Sequence, residues 1–572
     1  MIQAEQQTSP PLTLGCSTQL LLDDYVVDDA WNIRRSPELP VKYLGNPIID
    51  SHPLVGDCSV VCQSVMYDEE ERLFKLWSTL VDTNLDTFPS GYHQDSVHSY
   101  MYRGAYSVSQ DGLDWECPDL GIIEYRGSTA NNLFQSEGCG FVLKDGHESD
   151  PSRRYKMLTK RTNPGGRVFA AFSPDGIHWT DHPGGPVVPN SRDGANSFLY
   201  DERLGKYVLF CRPTVLPLDF SYDPDELGFP DRNVYIDDFH TGDKFECKDR
   251  TSSPRFPDES DYVMRWETED YVHRHLKVFP YTPMRSLRIS QGRSRYIGCN
   301  RRIARCVSDD FVHWSLPEVV IRPDELDPPR LYNMDVTRYE GLYIGLLQVF
   351  HSWGTRRLPG TPDEPETFDL HLAFSRDGIR WERLANRPVF LERGYVGDFD
   401  GGMISGAHVP LIPYGDELRI YYTGHVGCHN LSPASPSSKH AIGVARLPRG
   451  RLVARTAGDE LGVLMTKPFV VEGRRLQVNA DARRGLLKAE VVTAAGERIP
   501  GYTCGECRGI TGSGFELPIS WSRRSDLQEL ADRRCACVST CGRPGCTPSG
   551  SMTDFRPDSL PPLNLLTAPA TM

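Results

Sequence analysis

The sequence predicts an all-β protein: a five-bladed β-propeller followed by a small β-sandwich. Three observations predict it. A pattern Ser-x-Asp-(Gly/Phe)-x-x-Trp occurs four times. Five β-hairpins with aromatic-rich second strands precede it or follow it in order. The 50 Gly and 44 Pro, with few long helical periodicities, suit a chain of strands and turns.

The repeated pattern begins at Ser109, Ser173, Ser308 and Ser375 and ends at Trp115, Trp179, Trp314 and Trp381. Self-similarity at a regular period decides architecture. Asp bonds its own backbone and Gly accepts positive φ, so the motif reads as a turn over which the Trp packs back. Its four aspartates are therefore structural. Successive copies lie 64, 135 and 67 residues apart, and the doubled gap needs an explanation.

The hairpins supply it. They are Ser59 to Tyr67 with Leu73 to Trp77, Gly140 to Leu143 with Tyr155 to Leu158, and Asn196 to Tyr200 with Tyr207 to Phe210. Two more follow, Asp335 to Tyr339 with Leu342 to Leu346 and Ala407 to Ile412 with Leu418 to Tyr422. The long gap holds only one hairpin, so it is one unit carrying an insertion, from about Val215 to Arg295, rich in Pro, Asp and Arg. A hairpin, a third strand and a motif leading to an outer strand make a four-stranded blade. Five blades fill residues from about 46 to 455, and His440 to Arg446 is the strand expected to close the ring. Residues 1–45 are expected to pack on the propeller.

Beyond the ring, Phe469 to Val471, Arg475 to Asn479 and Leu487 to Val492 alternate as strands of a sandwich over 462–534. After Arg533 the composition changes to Cys535-Ala-Cys537-Val-Ser-Thr-Cys541 and a Pro- and Ser-rich tail. Residues 535–572 are read as an irregular, non-native ending, as a reading-frame shift would leave. A zinc site from these cysteines with Cys504 and Cys507 is the competing reading, but the spacing is irregular and no His accompanies it.

A net charge of −14 argues against nucleic acid as partner. No apolar run is long enough to span a membrane. The N-terminus has neither a basic nor an apolar leader region, and strand cysteines such as Cys62 and Cys211 read as reduced hydrophobes, so a cytoplasmic protein is expected.

Five blades followed by a sandwich resemble the glycoside hydrolase clan of invertases, levanases and arabinanases. The Asp-Gly-x-x-Trp blades, the segments around Arg153-Arg-Tyr-Lys and Asp201-Glu-Arg-Leu-Gly-Lys-Tyr, and the opener Leu20-Leu-Leu-Asp23-Asp24-Tyr25 are similar to bacterial proteins near the family 32 glycoside hydrolases. The resemblance covers most of residues 15 to 530 and implies action on a glycosidic bond of a carbohydrate substrate. The invertase motifs Asn-Asp-Pro-Asn, Arg-Asp-Pro and Glu-Cys are absent in that form. Glu246-Cys247 lies inside the insertion and takes no role.

Site residues must then come from placement. In a propeller the residues just before each inner strand sit at one mouth. Those segments hold Asp57, Asn132 and Glu137, Asp193 and Asn196, Asp335, and Asp398 with Asp400. Glycoside hydrolysis needs two carboxyl groups across the scissile bond, and a third acid orients the sugar. Asp57, Asp193 and Asp400 are the expected catalytic acids. Asn132, Glu137, Asn196, Arg212, Asp335, Asp398 and His408 are the expected substrate contacts. Each adjoins turn residues or strand ends where a structural use competes, as it does for Arg301, Arg302, Arg305 and His351. No cofactor is expected and no metal is assigned to these residues, a structural calcium in the channel being possible. Hydrolysis, phosphorolysis and non-catalytic carbohydrate binding all remain open.

Overall fold

The computed structural model describes residues 11–52, 59–81, 102–136, 138–160, 168–188, 196–212, 302–328, 330–351, 367–428, 439–458, 460–542 and 551–558, with short strands inside 234–298. It is almost entirely β, with only single-turn 3-10 segments such as Pro151–Arg153 and Gln528–Leu530. Among the described residues no helix is long and apolar enough to cross a membrane. The chain divides into two compact units, Pro40–Tyr414 with Arg419–Arg446, and Met1–Leu39 with Gly415–Leu418 and Leu447–Met572.

The larger unit holds five antiparallel sheets in chain order. The first runs Ser59–Asp68, Leu73–Val81, Tyr102–Ser109, Leu133–Gln135. The second runs Phe141–Lys144, Tyr155–Lys160, Val168–Ser173, Thr180–Asp181. The third runs Asn196–Asp201, Lys206–Cys211, Ile303–Ser308, Glu318–Ile321. The fourth opens Arg330–Tyr339, Leu342–His351, Thr367–Ser375, with Glu382–Arg383 and Val389–Leu391 both on the third strand. The fifth joins Met403–Gly406, Glu417–His425 and His440–Pro448. Its outermost strand is Val41–Lys42, drawn from the start of the chain. His440–Pro448 is thus not the last strand of its sheet: an unpaired edge there would be a liability, and the N-terminal pair covers it. The short strands within 234–298 pair only with one another among the described residues.

Neighbouring sheets share cores in a cycle. Trp77 and Tyr106 of the first pack with Tyr155 and Met157 of the second. Phe141 and Val168 meet Phe198 and Leu209 of the third. Val208 and Phe210 meet Met334 and Tyr343 of the fourth. Phe350 and Phe368 meet Met403 of the fifth. Ile412, Tyr421 and Ile442 of the fifth then pack with Val60, Phe74 and Leu76 of the first.

The repeated motif fastens this cycle. In each copy the Ser hydroxyl and the Asp carboxylate bond along the turn: Ser109 Oγ donates to Asp111 Oδ1, which accepts the amides of Leu113 and Asp114. The Trp179, Trp314 and Trp381 indoles donate back to the carbonyls of Gly176, Phe311 and Gly378. The preceding sheet then grips the turn. Trp77 donates to the Gly176 carbonyl, Arg153 to Asp310, Arg203 to Arg376, and Arg419 with Tyr421 to Asp111 and Gly112. A second repeat escaped the sequence. The Tyr155, Tyr207 and Tyr343 hydroxyls donate to Asp68, Asp145 and Asp201, each at the hairpin end of the preceding sheet.

The smaller unit has two sheets around one core that includes Val27, Leu464, Leu476, Val478, Leu487 and Trp521. One joins Val27–Trp31, Gly462–Thr466, Arg534–Gly542, Phe469–Val470 and Leu486–Thr493. The other joins Ile33–Pro37, Val453–Ala457, Ser551–Asp558, Arg475–Asp481 and Ser513–Pro518, with Gln19–Leu20 on its flank. Two expectations are corrected here. Of the N-terminal segment, Gln19–Leu20, Val27–Trp31 and Ile33–Pro37 supply strands to these sheets, and only Val41–Lys42 joins a sheet of the larger unit. Where the segment from Arg534 is described, it is not irregular: Arg534–Gly542 is a central strand paired with three others, and Ser551–Asp558 is a strand of the second sheet. Its alternation was hidden because cysteines serve as the buried residues: Cys535 and Cys537 are each 1% exposed.

Candidate functional site

Of the expected site residues, Asn196 and Asp335 lie on the first strands of the third and fourth sheets, whereas Asn132, expected before an inner strand, precedes Leu133–Gln135, the fourth strand of the first sheet. Asp57, Glu137 and Asp193 lie outside the described residues. Asn196 opens its strand opposite Cys211. Asp335 lies within the inner strand of the fourth sheet and is fully buried. Asn333 Nδ2 and Gln348 Nε2 donate to its two carboxyl oxygens, both at 3.1 Å. Burial drives its carboxyl up to about 7, only partly opposed by these two amides. Gly406 of the fifth sheet makes room for it, because a Cβ there would stand 2.3 Å from Asp335 Oδ2.

Arg212 directly follows the second strand of the third sheet, and its guanidinium lies 4.8 Å from the Tyr332 ring centroid. Tyr332 in turn packs on Phe368 at 4.3 Å and Phe350 at 5.7 Å. Arg212 thus meets the fourth sheet at Tyr332, near the start of its first strand.

The other expected site residues, the expected catalytic Asp400 among them, have partners within the protein. Asn132 donates to the Tyr106 carbonyl and bonds His52 Nε2 at 2.8 Å. Asp398 Oδ2 accepts the Tyr395 amide and closes a turn that leaves Tyr395 and Val396 exposed. Asp400, 2% exposed, pairs with Lys42 Nζ at 2.6 Å and accepts the Tyr422 hydroxyl at 2.9 Å. His408 is fully buried, stacked on Phe141 at 5.1 Å and tilted over Phe198 at 4.8 Å. Burial pushes its imidazole down to about 3. Its neighbour Val409 sits at φ 63, a region β-branched residues avoid. Arg302 is buried, and Arg305 faces Glu318 across the strands.

His351, weighed in the sequence as a lone histidine, has company. Its Nε2 lies 2.9 Å from Asp369 Oδ2, and His371 Nε2 lies 3.0 Å from Asp369 Oδ1. Burial would raise the Asp369 carboxyl, but hydrogen bonds from both imidazoles outweigh it and hold it at about 2. Neither Asp369 nor His371 was singled out from the sequence. Their signal was an acid and a histidine two apart in a strand, which places both on one face, but nothing in the sequence aligned them with His351.

No family model matches the chain, and no curated protein matches it. Solved structures do resemble it. One is described as a family 43 arabinoxylan arabinofuranohydrolase from Bacillus subtilis in complex with cellotetraose, at 10% identity, TM-score 0.36, covering 91% of this chain and 99% of that one. Another is from the GH130 family of mannoside phosphorylases, whose description includes glycoside hydrolases targeting β-1,2 mannosidic linkages in Candida mannan, at 12% identity, TM-score 0.38, covering 75% and 96%. A third is an N-acetylgalactosamine deacetylase from F. plautii in complex with blood group B trisaccharide, at 13% identity, TM-score 0.36, covering 74% and 97%. With TM-scores below 0.5, these likenesses assign no activity and no residue role to this chain.

Proposed function

We propose that this chain is a five-bladed β-propeller followed by a β-sandwich, and that it acts on a glycosidic bond with carboxylates at the propeller's axial mouth. The single observation that carries this reading is the cycle of shared cores, in which the fifth sheet packs back on the first. Five radial sheets in a cycle bring the starts of all five inner strands to one end of one axis. The acids at those starts then face a common ligand, as two-carboxylate glycoside chemistry requires.

In this reading Asp57 and Asp193 flank the scissile bond. One keeps its proton and donates it to the leaving oxygen, and the other activates water or attacks the sugar carbon. Asp400 is already bound by Lys42 and Tyr422, so it orients the mouth rather than exchanging protons. Asp335, pushed up to about 7 by burial, carries less charge beside that pair than an ordinary aspartate. Arg212 over Tyr332 forms one wall.

The test is turnover on a panel of aryl glycosides and oligosaccharides, with and without phosphate, by wild type, Asp57→Asn and Asp193→Asn. Each substitution is expected to lower kcat at least 100-fold with folding intact. Full activity in both variants would place the chemistry elsewhere. A second reading, a non-catalytic carbohydrate-binding propeller, rests on Tyr395, which stands 87% exposed on the turn capped by Asp398. Oligosaccharide binding without turnover, weakened by Tyr395→Ala, would establish it instead.

A further inference from the structure

We propose that His351, Asp369 and His371 form a binding site for one divalent first-row transition-metal ion. The three residues belong to two paired strands of the fourth sheet. Val349 is opposite Asp369 and His351 opposite Thr367, so His351, Asp369 and His371 share one face of the sheet. A paired β scaffold holds ligands more rigidly than a loop.

The donor atoms already converge. One ligand atom from each residue lies within 4.8 Å of the others. Both imidazoles present Nε2 to the one carboxylate, at 2.9 and 3.0 Å. Donors bound to one ion at about 2.0–2.2 Å stand about 3 Å apart when adjacent, so little movement is needed to admit it. His371 Nδ1 has no hydrogen-bond partner among the described residues, so the polar contacts of this ring all lie at Asp369.

The donor set selects the ion. Two imidazoles and a carboxylate suit zinc, iron, cobalt or manganese, whereas calcium and magnesium prefer oxygen alone. Three protein donors leave coordination positions open. Asp369 and His371 are buried, while the His351 side chain is 28% exposed, so the open positions face outward past His351. Such positions accept water or the oxygens of a small polar ligand.

An ordinary Asp–His network would show the same hydrogen bonds without an ion, and the experiment separates the two. The full chain is stripped with chelator, then titrated with Zn²⁺ and with Co²⁺. The expected result is one ion per chain, with a Co²⁺ spectrum of nitrogen and oxygen ligands and no thiolate charge-transfer band. His371→Ala and His351→Gln are expected to abolish that binding while retaining the far-ultraviolet signature of the wild type. Thermal unfolding of the wild type is expected to shift upward with Zn²⁺, and that of His351→Gln to stay put. Absence of stoichiometric binding, a thiolate spectrum, or equal binding by His351→Gln would overturn the proposal. His351→Gln keeps the test decisive even if His371→Ala fails to fold, because His351 lies at the edge of the cluster.

Discussion

At the residue scale, two side chains break a local rule and show what holds them there. Phe311 stands where the other copies of the motif have Gly and keeps the left-handed turn at φ 69. That conformation costs an L-residue about 1–2 kcal/mol. The ring offsets it: fully buried, it packs on Phe172, Phe198, Tyr207 and Trp314 at 5.1 to 6.0 Å. Removing a buried Phe side chain costs about 3–5 kcal/mol. Phe311→Gly, which relieves the strain but loses the ring, is therefore expected to destabilise by about 2–3 kcal/mol in denaturant melts. A stabilised variant would mean that strain dominates. Asp335 breaks a different rule, a buried carboxyl facing amides and no cation among the described residues. Its folded value of about 7 stands against 3.8 for an ordinary aspartate. The folded state holds this proton more tightly, so the contribution is complete below about pH 4 and is lost as pH rises towards 7. Asp335→Asn removes that loss. Its stability relative to wild type should rise from pH 4 to pH 7.5, by up to about 4 kcal/mol at 1.36 kcal/mol per pKa unit. His408, held down to about 3, slopes the other way below its ordinary 6.5, but it is common to both proteins and cancels in the difference. A difference that stays flat with pH would show that the folded carboxyl is ionised.

At the element scale, what was legible in the sequence depended on how each element announces itself. The inner hairpins were visible because apolar alternation and a turn signal coincide, as in Asp335 to Leu346, where Glu340-Gly341 turns the chain at positive φ. The motif turns were visible because Ser, Asp, Gly and Trp each have a backbone job that the hydrogen bonds display. Two elements were not. Val41–Lys42 is a two-residue strand, too short to show a period, and its partner His440–Pro448 lies some 400 residues away. Arg534–Gly542 was passed over because Cys, Ser and Thr alternate where Val or Ile would have been read as a strand. The site was the least legible part. Asp369 and His371 meet His351 only through strand register, which no local pattern reports. The core face of Arg534–Gly542 gives a sharp prediction. Cys537 is 1% exposed in the shared core, on a strand bonded to three others. Cys537→Asp puts a carboxylate into that apolar core, a cost of several kcal/mol. It is expected to unfold the smaller unit, read as early proteolysis within 447–558. The exposed-face control Ser522→Asp should leave it intact, and equal resistance of the two variants would refute the central placement of this strand.

At the scale of the whole molecule, the larger unit depends on joining its first residues to its last sheet. Val41–Lys42 brings two ladder residues, Tyr43, Ile48 and Ile49 add backbone bonds to Val444 and Ile442, and side chains add to them. Lys42 reaches Asp400 at 2.6 Å, and Tyr422 donates to the same oxygen at 2.9 Å. The Asp400 side chain is 3% exposed and that of Lys42 29%, so the pair is half-buried and asymmetric. Removing the partner of a buried charge costs about 3–5 kcal/mol; with part of Lys42 in water, about 2–3 kcal/mol is expected for Lys42→Met. Asp400→Asn alone leaves a neutral group that Tyr422 still satisfies and should cost less. The double variant should then cost much less than the sum, because the lone buried carboxylate that penalises Lys42→Met is gone. A coupling of about 1–2 kcal/mol from this cycle is the expected outcome. It should persist in high salt, because the short contact and the buried oxygen leave little space for counterions. A coupling near zero would mean that the two-residue strand and the shared core of Ile442, Val444 and Val60 hold the seam without the ion pair.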